Sequence, residues 1–438
     1  MAPRIGILRE DKKIRERRAP LTPEQVRTLT EEHSIEVWVQ PSDIRAIPEQ
    51  EYAQAGAKIV EDFSQCPIIF GIKEMHTEFF QPGKVYVFFS HTIKGQPQNM
   101  EMLRKLLELN CHLIDYETVT DPEGRRLLFF GRHAGLAGMI ETLSALGKRL
   151  SWEGIPNPFE KIRRPGEYAD LATAKEKIAK AGKNLAAQGL PESLTPLIFG
   201  FAGYGHVSRG AQEIFDLLPF QEIDPSEISS VTQGPERFAD VIYKVVFKEE
   251  HLVEPVNPGD RFNLQDYYDH PEKYRSKFDG YLPHLTVLMN CIYWDERYPR
   301  LVTIEDLRRL YGRNGQPRLR VIGDISCDIG GAVECTVRTT TSDKPIYVYE
   351  PATGETRDGW QGRGPVVLAV YNLPAEIPRE SSRDFGRTLL PFVPQIARAD
   401  FSLDFEQCQL PAAIKKAVIV YNGKLTRGYE YLEKHLER

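Results

Sequence analysis

The sequence predicts an α/β protein built on open, mostly parallel sheets. Three observations carry that expectation. Short apolar runs alternate with helical patterns along most of the 438 residues. Three early runs end on ionisable side chains: 67–71 on Lys73 and Glu74, 85–90 on His91, and 111–114 on Asp115, Tyr116 and Glu117. A fourth run, 197–201, opens into a glycine-rich loop. Ligands of open parallel sheets bind outside the carboxyl ends of the strands, so the ionisable strand ends read as a polar site.

Taken in order, residues 4–9 read as a short strand and 10–18 as a charged loop. Thr22 suits a helix N-cap and Pro23 the first helical position. Residues 35–39 are a second strand, and the alternation continues through the three runs above. Arg125 and Arg126 precede a strand at 127–130, and 135–150 is a long helix with small residues at its start. The polar, proline-containing stretch 151–165 is the best domain boundary. A helix follows at 168–188, then the strand 197–201, the glycine loop and a helix to 218. Glu222-Ile223-Asp224 ends the next strand. Residues 226–283 are polar and tyrosine-rich without a clear period, 286–292 and 319–325 are buried strands, and 373–378 marks a second boundary. The remainder is helical with one strand at 417–421.

Composition narrows the function classes. A 41% hydrophobic and 27% charged chain is that of a globular soluble protein. A net charge of −6 gives no basic footprint for nucleic acid or an anionic membrane. No apolar stretch is long enough to span a bilayer, and the first ten residues lack a secretory apolar core. Six scattered cysteines, without metal-ligand spacing, suit a cytoplasmic protein with no metal. Small molecules are the expected partners, with a homo-oligomer left open.

Gly203-Tyr204-Gly205-His206-Val207 follows a strand and opens a helix, the context of a dinucleotide-binding turn. Gly203 permits the turn, Gly205 lets backbone approach a pyrophosphate, and the helix start supplies N–H donors. The third glycine of the usual pattern is replaced by Ser208, with Gly210 two residues later. Asp224, about 20 residues on, would favour an unphosphorylated ribose and so NAD. Asp324 and Ile325, at the end of a later strand, would face the nicotinamide side. Lys73 and His91 are the candidates for proton transfer, with Glu74 and Lys94 beside them. Arg18 suits a carboxylate clamp, while Lys13, Glu16 and Arg17 in the same loop are equally read as a solvated face. Neither a P-loop nor a nucleophile elbow occurs.

The arrangement that reconciles these features is two Rossmann-like domains. A discontinuous substrate domain (1–140 and 375–438) would hold an inserted dinucleotide-binding domain (141–374), with the active site in the cleft between them.

Several segments resemble known families. Gly6-Ile7-Leu8-Arg9-Glu10 with Arg17-Arg18-Ala19-Pro20-Leu21-Thr22-Pro23 resembles the start of the alanine dehydrogenase/transhydrogenase superfamily. Phe89-Ser90-His91-Thr92-Ile93-Lys94, Leu113-Ile114-Asp115-Tyr116-Glu117, Asn290-Cys291-Ile292-Tyr293-Trp294 and 324–331 are similar to the lysine-ketoglutarate reductase (L-lysine-forming saccharopine dehydrogenase) part of aminoadipic semialdehyde synthase. That resemblance implies reductive condensation of L-lysine with 2-oxoglutarate to saccharopine, or its reverse. It implies Lys73 and His91 as catalytic residues. It implies Lys13, Glu16, Arg18, Glu74, Lys94, Glu117 and Arg126 around the substrate, and Gly203 to Val207, Asp224, Asn290, Asp324 and Ile325 around the cofactor. It also implies NADP(H), whereas Asp224 points to NAD(H); the balance leans slightly to NADP(H). Two alternatives stand beside it: an alanine-dehydrogenase-like amino acid dehydrogenase, and a non-catalytic, transhydrogenase-like nucleotide-binding subunit.

Overall fold

The computed structural model describes residues 2–12, 15–234, 238–312 and 317–436. The chain divides into two compact units, Met1–Phe130 with Pro378–Arg438, and Gly131–Ile377.

The first unit is built on β1 (Arg4–Ile7), β2 (Glu36–Val39), β3 (Lys58–Ile59), β4 (Ile68–Phe70), β5 (Val85–Phe88) and β6 (His112–Asp115). They lie in the order β3-β2-β1-β4-β5-β6 and are parallel throughout. Val418–Tyr421, from the closing segment, adds antiparallel to β6. The apolar runs of β4, β5 and β6 are buried along their whole length, as expected of parallel strands covered on both faces. The helix Pro23–Glu31 starts where the sequence places it, and Thr22 N–H donates to Gln25 Oε1 at 2.8 Å.

The second unit contains β7 (Ile198–Ala202), β8 (Phe220–Glu222), β9 (Ile242–Phe247), β10 (Val253–Pro255), β11 (Tyr274–Ser276), β12 (Val287–Asn290), β13 (Val321–Asp324), β14 (Ile346–Tyr349), β15 (Thr356–Asp358) and β16 (Val366–Leu368). Its main sheet runs β8-β9-β7-β12-β13-β16-β14-β15. β14 and β15 are antiparallel additions, and β10 and β11 form a separate hairpin-like pair. The strand directly after the glycine-loop helix, β8, is thus at the sheet edge. The strand beside β7 is β9.

Several expectations are corrected here. The first junction falls after Phe130 rather than at 140, because the helix Gly131–Trp152 belongs wholly to the second unit. The stretch 151–165 is not a linker. Phe159 is fully buried in that unit's core, and its carbonyl would lie 2.4 Å from a Cβ placed on Gly147. Residues 127–130 form no strand: Arg126 makes a single bridge to Thr120, and the Phe130 ring stacks on Phe385 at 4.7 Å. Within the tyrosine-rich stretch, Tyr267, Tyr274 and Phe278 pack into the core of the second unit. The helix Gly131–Trp152 crosses the helix His206–Phe215 closely. A Cβ on Gly135 would lie 1.9 Å from Val207 O, and one on Gly210 would lie 2.0 Å from Arg132 O. Gly210 therefore supplies the close packing that Ser208 cannot.

Glu141 sits midway along that helix and is 3% exposed. Burial pushes its carboxyl up to about 8, despite Arg164 and Lys148, with Glu376 and Glu167 adding to the rise. The native state therefore keeps a proton that the unfolded chain releases near 4.5. Stability contributed by the neutral form is lost as pH rises through that window, by up to about 1.4 kcal/mol per unit. Glu141→Gln is expected to shrink the fall in melting temperature between about pH 5 and pH 8. An unchanged fall in the variant would refute the assignment.

Candidate active site

In the first unit, β1, β4, β5 and β6 bring their carboxyl ends to one edge of the sheet. β4 and β5 pair in parallel, and Phe89 N–H donates to Ile72 O at 3.0 Å. Lys73 and His91 therefore leave the sheet from neighbouring strands. His91 adopts φ +49°, a left-handed conformation uncommon for a non-glycine residue. Its turn is braced on several sides. Ser90 N–H donates to Asp115 Oδ2 at 3.1 Å, and Ser90 Oγ also bonds that oxygen. Asn99 Nδ2 donates to the His91 carbonyl at 3.0 Å. Non-glycine residues persist in such backbone regions where their surroundings over-determine them, which is common at functional sites.

His91 Nδ1 lies 2.7 Å from Glu74 Oε1. An ionised carboxylate only accepts, so beside an ionised Glu74 the His91 Nδ1–H is the donor, which leaves Nε2 as the ring nitrogen outside the pair. The pair has the logic of an oriented general base.

Glu10, for which the sequence alone predicts no role, braces the turn that carries Lys73. It is 6% exposed, and its two oxygens accept from Ile72 N–H at 2.5 Å and Lys73 N–H at 3.0 Å. Burial, with the neighbouring Glu16 carboxylate, pushes Glu10 up to about 8. Its signal was present in the sequence, an acid closing the first strand, but nothing there showed that it would hold the Lys73 turn.

The other expected substrate residues fall into three groups. Arg18 and Glu16 form a buried, bidentate pair at 2.7 and 2.6 Å, and the Arg18 guanidinium covers the Phe130 ring at 4.0 Å. The arginine fork expected on a substrate carboxylate is thus engaged by Glu16. Glu117, half-buried, and Arg126, exposed, face each other at 3.7 Å. Lys94 is exposed. Lys13 lies outside the described residues.

In the second unit, Gly203 has φ +91°, which only glycine adopts freely, and its N–H donates to Phe247 O at 2.9 Å. A Cβ on Gly205 would meet nothing within 4 Å, so the space above the loop is open. Gly205 is also the N-cap of the helix His206–Phe215 and provides no side-chain cap bond, so the helix start lies beside the open loop. Tyr204 and His206 are exposed beside it, and Val207 is half-buried. On β12, the strand paired with β7, Asn290 donates through Nδ2 to Asp324 Oδ1 on β13 at 2.8 Å. Its buried Oδ1 has no hydrogen-bond partner among the described residues. Asp324 also accepts from Thr336 Oγ1 at 2.5 Å and Cys327 N–H at 3.2 Å, and burial raises its carboxyl to about 6. The open phosphate cradle and the orphaned amide oxygen at the strand ends fit a dinucleotide. Ile325 departs from expectation: its side chain packs toward Gly138 in the core, leaving only backbone for a ligand. Asp224 departs as well, since it follows the edge strand β8 rather than the strand beside the loop.

Residues 6–137 match the description alanine dehydrogenase/PNT, N-terminal domain, and residues 294–428 match its C-terminal domain. The chain belongs to the alanine dehydrogenase/PNT family. Family relatives include the mitochondrial alpha-aminoadipic semialdehyde synthase of Bos taurus, 36% identical over 98% of this chain and 47% of the relative. The alpha-aminoadipic semialdehyde synthase of Arabidopsis thaliana is 37% identical over 98% of this chain and 41% of the relative. The chain thus spans about half the length of these relatives. The saccharopine dehydrogenase [NAD(+), L-lysine-forming] of Emericella nidulans is 27% identical over 89% of this chain and 91% of its own. Among solved structures, an L-alanine dehydrogenase superposes with a TM-score of 0.64 at 18% identity, covering 99% of both chains. The transhydrogenase from Sinorhizobium meliloti gives 0.58 at 14% identity over 97% of this chain and all of its own. These superpositions establish the two-unit, Rossmann-like fold that the strand pattern predicts. No helix among the described residues is long and apolar enough to cross a membrane.

Proposed function

We propose that this chain catalyses the reductive condensation of L-lysine with 2-oxoglutarate to saccharopine, or the reverse, with NADP(H) preferred over NAD(H). The observation that carries the reading is the His91–Glu74 pair, held on a left-handed turn at the strand end next to Lys73. Whole-chain similarity to alpha-aminoadipic semialdehyde synthases and L-lysine-forming saccharopine dehydrogenases supplies the substrate class. Six cysteines without a disulfide suit a reducing, cytoplasmic setting.

The lysine ε-amine must lose a proton before it attacks the ketone carbon, and the resulting carbinolamine must shed water to give an imine. His91 Nε2 takes the first proton and returns one to the departing hydroxyl, while Glu74 steadies the imidazolium through Nδ1. Lys73, held by Glu10, places a cation beside the carbonyl oxygen as negative charge develops there. Lys94, Arg126 and Glu117 are the charges left to orient a polyionic substrate. Gly203, Gly205 and the helix start bind the dinucleotide phosphates, and Asn290 and Asp324 hold its carboxamide end. The bound nicotinamide supplies the hydride.

Lysine and 2-oxoglutarate together are expected to consume the reduced cofactor, followed as loss of its near-ultraviolet absorbance, with NADPH faster than NADH. Omitting either substrate should abolish the change. Turnover with pyruvate and ammonia but not with lysine would replace this reading with amino acid dehydrogenation, and no turnover with any combination would remove it.

A further inference from the structure

The usual position for reading the cofactor ribose is the end of the strand next to the glycine-loop strand. In chain order that strand would be β8, which makes Asp224 the reader. In the sheet it is β9. Ala202 pairs with Phe247, and the next amide, Gly203 N–H, still bonds the Phe247 carbonyl at 2.9 Å. The first residue past β9, level with the glycine loop, is Lys248.

The neighbouring acids are already engaged. Asp224 Oδ1 accepts from Ser226 N–H at 2.9 Å and Ser226 Oγ at 2.6 Å, capping the short helix Pro225–Glu227. Glu249 accepts from Tyr204 OH at 3.2 Å through Oε2 and from Tyr268 OH at 2.8 Å through Oε1. Lys248 is exposed. After the Ser226 hydrogen bonds, His251 and Lys248 help to hold the Asp224 carboxyl below its usual range, so the Lys248 ammonium faces this corner.

We propose that Lys248 reads the ribose 2′ position and receives a 2′-phosphate, and that Asp224 does not discriminate there. An ammonium serves here as a point charge on a flexible stem, able to follow the phosphate. This rests on the NADP(H) preference proposed above. It removes the conflict between that preference and Asp224, since the acid rule was being applied to the wrong strand.

The test is calorimetric binding of 2′,5′-ADP and 5′-ADP to the full chain. The wild-type protein is expected to favour 2′,5′-ADP, and Lys248→Ala to lose roughly tenfold to hundredfold of that preference, as for one charge-assisted contact. Lys248→Arg should retain most of it, and Asp224→Asn should leave it nearly unchanged. A preference that survives Lys248→Ala, or collapses in Asp224→Asn, overturns the assignment while leaving the NADP(H) preference standing. Equal binding of the two probes by the wild type overturns both the assignment and that preference, and leaves the condensation reaction to be run with NADH. Failure of the turnover assay would remove the reaction without altering the binding result.

Discussion

Lys73→Met and His91→Asn are each expected to lower kcat for lysine and 2-oxoglutarate by about two to four orders of magnitude, the range for a positioned electrostatic stabiliser and for a proton-transfer group respectively. Asparagine is the better replacement at 91, because it tolerates the φ of +49° and keeps the braced turn intact. The Glu10 clamp bonds the backbone amides of Ile72 and Lys73, so Lys73→Met keeps that anchor. Dinucleotide affinity should stay near wild type in both variants, since Gly203, Gly205 and Asn290 belong to the other unit. If the two side chains act as a unit on the same step, the double variant should be little slower than the worse single one. Steady-state rates with cofactor binding measured separately would check this. Wild-type turnover in both single variants would remove the site assignment, and multiplicative losses would separate the two roles.

The strands that carry the candidate site are legible because their signal is local. Each of the three apolar runs that stop on ionisable residues is a buried strand, and the rule that ligands bind outside strand carboxyl ends needs no knowledge of strand order. Strand order itself was not legible. Nothing in the spacing of the second unit says that β8 lies at the edge and β9 inside, and the expectation for Asp224 takes β8 as the strand beside the loop. β9 was also disguised. Lys244 interrupts its apolar run, yet it is 4% exposed and is neutralised by Asp216 at 2.9 Å and Glu222 at 3.4 Å. A buried, paired lysine reads as a surface residue until its partners are known. Residues 127–130 misled in the opposite sense: two leucines and two phenylalanines look like a strand, but the Phe130 ring is held by Phe385 and Arg18 instead. Glu10 and the engaged Arg18 fork could not be foreseen either, since both depend on contacts across the folded unit.

Arg18→Met is expected to destabilise the first unit by about 3–5 kcal/mol, because it breaks a buried, bidentate ion pair with Glu16. Arg18 and Glu16 side chains are 2% and 0% exposed, so water cannot compensate the remaining charge. The neighbouring Glu10, whose carboxyl is already raised by burial and by Glu16, would lose the favourable Arg18 field as well. Replacing both partners, Glu16→Met with Arg18→Met, should recover much of the loss, since an apolar pair of similar volume removes the desolvation cost along with the attraction. Thermal unfolding of the single and double variants reads this directly, at roughly 2–4 °C per kcal/mol for a unit of this size. The alternative role, an arginine fork that clamps a substrate carboxylate, predicts a different pattern. Arg18→Met would then melt close to wild type but show a strongly raised KM for 2-oxoglutarate, and the second substitution would rescue nothing. The bidentate contact with Glu16 and the Phe130 ring beneath it favour the first outcome. On that outcome Arg18 shapes the active-site loop from below, and substrate carboxylates fall to the more accessible Lys94 and Arg126.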